Sequence, residues 1–303
     1  MSWHAALAMF RTCALVSCLA LAACSEPPVP EPVAPVEPTL PSDADLLVAR
    51  PFQVVTPPSY DGGTPLPLLM ALHGYGNTGA GLDGQFALSR LAASHKFLLV
   101  MPNATPDGRG LRSWRPFAVA QSPFDREYLR AVLASVKATY AVDPARVFVF
   151  GYSQGGHMAH RMGCDAADQV AAFVSLAGQA ATEPSACLPV RRISALQVHG
   201  TDDEAIGYNG DVTPPIDPNV PSAHQTIAVW GRVNGCGALM PTTRTLDLST
   251  QVDGDETTIE AYADCPAGIE VELWTMNGVA HWPAPQPSFM AQLYSFLVLH
   301  PRP

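Results

Sequence analysis

Short apolar runs alternating with helix-length amphipathic stretches constrain this chain more than any other feature of it. Runs of strand length and character lie at 67–72, 97–101, 147–150, 171–176, 193–198 and 270–274. Between them, 82–95, 125–140, 154–163 and 222–233 carry apolar residues at helical spacing, and 288–299 forms a closing helix. Strands that are apolar throughout need cover on both faces. The alternation therefore predicts an α/β fold, a mostly parallel central sheet with helices on both faces in a single domain. The 303 residues suffice for one sizeable core. In such a sheet, ligands bind beyond the carboxyl ends of the strands. The residues placed there are His73-Gly74-Tyr75-Gly76, Ser153, the pair Asp202 and Asp203, and His281.

One of these positions carries a motif. Gly151-Tyr152-Ser153-Gln154-Gly155 fits G-x-S-x-G, in which a tight strand-to-helix turn lifts a serine hydroxyl above the sheet. With Gly at ~7% of residues and Ser similar, a chain this long holds about 0.1 such match by chance. The setting sharpens it: VFVF before the turn reads as a buried strand, and QGGHMAHRM after it as a helix.

A serine hydroxyl is a poor nucleophile until an oriented base takes its proton. On a fold of this kind the chain order is Ser, then an acid, then His. The acids at the next suitable strand end lie in QVHGTDDEAIGY, which leaves Asp202 and Asp203 open. Three histidines follow. His224 falls on a predicted helix and His300 in the last four residues, whereas His281 sits in a loop after a strand. His281 is the candidate base. The backbone amides of Gln154 and Tyr75 are candidate donors for a developing oxyanion. Trp114, Tyr152 and Trp282, with Tyr75, are candidate pocket aromatics. Chemistry of this kind needs no cofactor. His157 and His160 share a helix face but lack a third ligand, and no C-x-x-C spacing suggests zinc, so no metal site is expected.

The amino terminus is of another character. Residues 1–23 offer one basic residue, Arg11, and an apolar run of about a dozen positions, too short to span a bilayer and suited to an export signal. Leu21-Ala22-Ala23-Cys24 resembles the lipobox of bacterial lipoproteins, which implies lipidation of Cys24; Ser25 after it implies the outer membrane. Several acyl chains, at about 0.8 kcal/mol per buried methylene, would hold the protein on a membrane durably. Residues 24–45, rich in Pro and Glu, read as a tether spanning on the order of 60 Å. A catalytic domain is expected over 46–303. The formal charge of −10 becomes one unit more negative once Arg11 is removed, which disfavours nucleic acid as a partner. Of seven cysteines, four remain after the signal and Cys24: Cys164, Cys187, Cys236 and Cys265. In an exported chain these favour two disulfides, with three pairings possible.

Taken together, PLLMALHGYGNTG, FLLVMPNATPDGRGLRSW, VDPARVFVFGYSQGGHMAHRMGCD, LQVHGTDDEAIGY, VWGRVNGC and VELWTMNGVAHWP resemble the α/β-hydrolase superfamily. Within it they resemble the polyhydroxybutyrate depolymerase and feruloyl esterase-like family of secreted esterases. The resemblance runs from about Leu66 to His281. It implies a serine esterase acting through an acyl-enzyme on small acyl, aryl or hydroxyalkanoate esters. Through the H-G-x-x-D pattern at His199 to Asp203 it favours Asp203 as the acid, and it implies the pairings Cys164–Cys187 and Cys236–Cys265. The chain departs from the family at Gly207, where proline is common, and at Val279-Ala280, where glycine is; both bear on substrate preference. Because the chain stops soon after its last helix, no polymer-binding domain is expected, and soluble esters are favoured over crystalline polymer. Alternatives from the same residues are a serine peptidase and a surface lipoprotein that binds without turnover.

Overall fold

A computed structural model describes residues 40–116, 124–180, 187–210 and 221–302. The predicted leader, Cys24 and the tether up to residue 39 lie outside the described residues. Eleven strands occur among the described residues: β1 (Val54–Val55), β2 (Leu66–Leu72), β3 (Leu98–Val100), β4 (Thr105–Pro106), β5 (Arg112–Ser113), β6 (Val142–Tyr152), β7 (Ala172–Leu176), β8 (Ser194–Gly200), β9 (Leu239–Leu246), β10 (Thr257–Tyr262) and β11 (Val271–Met276). β4 and β5 pair with each other, and the other nine form one sheet in the order β1-β3-β2-β6-β7-β8-β11-β10-β9. From β3 to β11 every neighbouring pair is parallel, and β1, β10 and β9 pair antiparallel at the edges.

Alternate side chains of the parallel strands feed two cores. Leu68, Met70, Leu72, Val147, Val149, Phe173 and Leu273 pack with residues of α1 (Asp43–Ala49), α4 (Asp125–Thr139), α5 (Gln154–Asp165) and α6 (Ala223–Asn234). On the opposite face, Leu69, Phe148, Phe150, Val174, Leu196 and Trp274 pack with α2 (Gly79–Phe86), α3 (Leu88–His95) and α7 (Phe289–Leu299). The three-layer arrangement and the parallel centre are those that the apolar pattern predicts. Local chemistry sets the helix ends. α4 opens with Asp125 and Glu127 and ends near Lys137, in line with the helix dipole. α6 starts on a capping box between Ser222 and Gln225 and stops at Gly235 in the left-handed region.

Three features differ from the sequence reading. The helix expected over 82–95 is two, α2 and α3, broken at Ala87 with φ of 52°. Asp83 accepts from both the amide and the hydroxyl of Ser89, so its carboxylate caps the second helix as the first ends. The hairpin of β9 and β10 was not expected. Third, α1 starts at Asp43, within the expected tether, on a capping box between Ser42 and Asp45. Disulfides join Cys164 to Cys187 and Cys236 to Cys265, fastening the end of α5 and the end of α6 to neighbouring segments. Among the described residues no helix is long and apolar enough to cross a membrane.

Candidate active site

β6 ends at Tyr152 and α5 begins at Gln154, so Ser153 alone makes the turn. Its φ of 57° and ψ of −121° are unusual for a residue with a side chain, a conformation that costs about 1–3 kcal/mol. Hydrogen bonds fix it: Ser153 N–H donates to Leu176 O at 2.8 Å, and Gly156 N–H donates to Ser153 O at 2.8 Å. The flanking glycines follow from proximity. A Cβ on Gly151 would lie 1.9 Å from Gly155 O, and one on Gly155 would lie 2.0 Å from Leu72 O. Helix α5 therefore presses its first turn against the sheet, which leaves the serine side chain as the group that projects.

The structure brings Ser153, His281 and Asp203 together from positions far apart in the chain. His281 Nε2 lies 2.9 Å from Ser153 Oγ, and His281 Nδ1 lies 2.8 Å from Asp203 Oδ2. With the Nδ1 proton donated to the carboxylate, Nε2 is left as the acceptor for the serine proton, the tautomer that general-base chemistry requires. Burial pushes the Asp203 carboxyl up. Hydrogen bonds from His199 and His281 outweigh that and hold it below the usual carboxylate range, so the group stays ionised. Its other oxygen, Oδ1, accepts from the amides of Ala205 at 2.9 Å and Ile206 at 2.7 Å. Asp202, the alternative acid, is exposed and accepts from the Thr201 hydroxyl.

The first loop lies beside the serine. A Cβ placed on Gly74 would sit 3.3 Å from Ser153 Cβ and 3.7 Å from its Oγ. Gly76 N–H donates to Arg112 O and Asn77 N–H to Gly74 O, which fixes the turn around Tyr75. Among the described residues the amides of Tyr75 and Gln154 donate to no protein acceptor, the condition an oxyanion site requires. His73 props this loop from beneath. It is fully buried, its Nδ1 donates to Gly74 O, and its Nε2 accepts from Ala104 N–H.

Comparison with known proteins gives the family and the fold. The family model described as "Putative esterase" matches residues 47–254. This chain belongs to the Esterase family. Feruloyl esterase B of Piromyces equi is 25% identical over 231 residues, which cover 74% of this chain and 41% of that protein. Poly(3-hydroxyalkanoate) depolymerase C of Paucimonas lemoignei is 29% identical over 115 residues, 37% of this chain and 28% of that one. The chain thus spans less than half the length of either relative. Among solved structures, an acetyl xylan esterase from Aspergillus awamori superposes with a TM-score of 0.60 at 15% identity, covering 82% of this chain and 93% of that chain. The fold is of the α/β-hydrolase type.

In this Esterase-family chain the candidate aromatics divide. Trp114 is only 1% exposed; its indole N–H donates to His73 O, and its ring faces His73 and Arg50. The expected pocket contact is corrected to a place behind the first loop, because the indole has been used to bury that turn. Tyr152 is also buried, its ring 5.4 Å from the His281 ring and its hydroxyl donating to His281 O. Trp282 and Tyr75 keep open faces, 37% and 46% exposed. Several supports were not foreseen. Gln154 holds the segment after β5, accepting from Trp114 N–H and donating to Ser113 Oγ. Gln251 accepts from Ala280 N–H and donates to Trp282 O, and Glu204 accepts from His281 N–H. The histidine loop is pinned on both sides. His157 and His160 do not act as a pair: His157 Nδ1 accepts from Gln179 N–H, while His160 is bonded to Trp230 and Gln197.

Two buried histidines give the Esterase-family fold an acid limit. Burial pushes His73 down to about 4 and His160 down to about 3. Both stay neutral in the fold at pH values where an unfolded histidine is protonated. Unfolding then takes up protons, so stability is full above pH ~6.5 and falls as pH drops toward the folded values. At pH 5 each histidine should remove about 2 kcal/mol relative to pH 7. Urea unfolding at the two pH values checks this; equal midpoints would contradict it.

Proposed function

We propose that this protein is a serine hydrolase of carboxylic esters, with Ser153 as nucleophile, His281 as base and Asp203 as the group that orients and stabilises the imidazolium. The observation that carries the reading is the unbroken Ser153–His281–Asp203 line, with bonds of 2.9 and 2.8 Å. As Ser153 Oγ bonds to the ester carbonyl carbon, its proton passes to His281 Nε2. The negative charge moves to the carbonyl oxygen, facing the Tyr75 and Gln154 amides. Collapse breaks the bond to the alcohol oxygen, which leaves with the proton from His281. Water then gives a proton to His281 as its oxygen bonds to the acyl carbon; the second collapse breaks the bond to Ser153 Oγ, which takes that proton back from His281 as the carboxylic acid departs.

The exposed faces of Trp282 and Tyr75 suit small acyl or aryl esters that lie across the mouth. The names of the relatives, a feruloyl esterase and a hydroxyalkanoate depolymerase, point to the same substrate class. We place the protein outside the cytoplasm, held by lipid at Cys24 through the tether; the two disulfides and the leader composition support export. The catalytic domain is proposed over 46–303.

Assaying p-nitrophenyl esters of increasing acyl length beside the matching anilides tests the reading. Esters should turn over and anilides should not. Asp203→Asn should retain the fold yet lower kcat by about 10⁴, because the amide permits the wrong imidazole tautomer. Anilide cleavage that matches ester cleavage would favour a peptidase, and an Asn variant at wild-type rate would remove Asp203 from the mechanism.

A further inference from the structure

Four buried side chains outside the proposed triad form a line that ends on its carboxylate. Trp230 Nε1 lies 2.8 Å from His160 Nδ1, His160 Nε2 lies 2.9 Å from Gln197 Oε1, and Gln197 Nε2 lies 3.1 Å from His199 Nδ1. His199 Nε2 reaches Asp203 Oδ2 at 3.2 Å and Ile206 O at 2.7 Å. All four are at most 2% exposed, and they come from α6, α5 and β8.

Chemistry fixes the direction of every bond in this line. An indole N–H can only donate, so His160 Nδ1 accepts and its proton sits on Nε2. That proton requires the oxygen of Gln197 to face it, which turns the amide nitrogen toward Gly178 O, at 2.7 Å, and His199 Nδ1. Flipping the amide would oppose two donors at His160 and two acceptors at Gly178. His199 Nδ1 therefore accepts, and its proton sits on Nε2, facing a carbonyl and a carboxylate that can only accept. The hydrogen-bond partners lock each histidine in one tautomer.

From this geometry we infer that His199 is a positioning residue of the active site: its Nε2–H, held in place by the line back to Trp230, fixes Asp203 Oδ2 for His281. The inference rests on the reading of Ser153, His281 and Asp203 as the catalytic groups. Oδ1 of Asp203 is already held by two backbone amides, so Oδ2 is the oxygen left free to swing, and His199 shares it with His281. Without His199, Oδ2 loses a donor. The carboxylate then holds the His281 proton more tightly, and the imidazole pays out its base function only at higher pH. Other titratable groups facing the pair are Glu204 from the same loop, His157 from α5 and Tyr152 from β6. They are unchanged in every variant below.

The test uses the full chain, a fluorophosphonate as probe and p-nitrophenyl acetate as substrate. Labelling of Ser153 is timed from pH 5 to 9, and kcat and KM are measured separately. His199→Leu should label about tenfold slower, the order expected when a carboxylate loses one hydrogen-bond donor. Its acid limb should lie at higher pH than that of the wild type, with KM within about twofold, since no substrate contact is lost. His199→Gln retains an N–H near the Nε2 position and should recover most of the rate. Trp230→Phe keeps the ring but deletes the first donor, and should shift the acid limb in the same direction by less. A wild-type rate and limb in His199→Leu, or His199→Gln as slow as His199→Leu, would overturn the inference. Should His199→Leu not fold, an unmoved limb in Trp230→Phe would overturn it instead. Failure of the underlying reading looks different: the wild type itself would not be labelled at Ser153.

Discussion

Ser153→Ala abolishes ester turnover, with kcat expected to fall about a millionfold, as for a nucleophile that acts as one unit with its base. The side chain removed is small and half-buried, and among the described residues its hydroxyl bonds to His281 alone. The backbone bonds that hold the turn, from Ser153 N–H to Leu176 O and from Gly156 N–H to Ser153 O, are unaffected by the substitution. Thermal unfolding should therefore remain within a few degrees of wild type. Turnover by the alanine variant within tenfold of wild type would show that the hydroxyl is not the nucleophile.

Gly155→Ala is expected to be among the most damaging single-residue changes to the fold. The new Cβ would lie 2.0 Å from Leu72 O and 2.7 Å from His73 O, both backbone atoms at the end of β2. No rotamer change can relieve a backbone clash, so α5 must lift from the sheet. The cost should be about 3 kcal/mol or more. Movement of about 1 Å at the serine turn or the Tyr75 loop should also lower kcat by about 10². Gly84→Ala on α2 is the control, because a Cβ there meets nothing within 4 Å. Urea midpoints for the two variants separate the outcomes, and a Gly155→Ala midpoint equal to that of Gly84→Ala would contradict the packing argument.

The sequence was most legible where burial on both faces leaves an unbroken apolar signal, as in β2, β6, β7, β8 and β11. β9 resisted the same reading because it is an edge strand: most of Leu239–Leu246 is exposed, Pro241 interrupts it, and Arg244 reaches across to Glu272. The break at Ala87 carried no glycine or proline, and its cause, the Asp83 carboxylate turned onto Ser89, is visible only in three dimensions. In the candidate site, Ser153 and His281 could be placed from motif and position, while Asp203 needed a family pattern to set it apart from Asp202. The supports were harder. His73 and His199 each precede a glycine at a strand end, a repeated His-Gly signal that could have been noticed. Gln197, His160 and Trp230 reach Asp203 only through the packing of α5 and α6 on β8, and no spacing in the chain announces that contact.

Fluorophosphonate labelling followed by peptide mapping of the wild-type protein tests the central claim most directly. A single adduct on Ser153, formed quickly in the folded protein and absent after denaturation, is the predicted result. An unmodified Ser153, or an adduct confined to another residue, would contradict it.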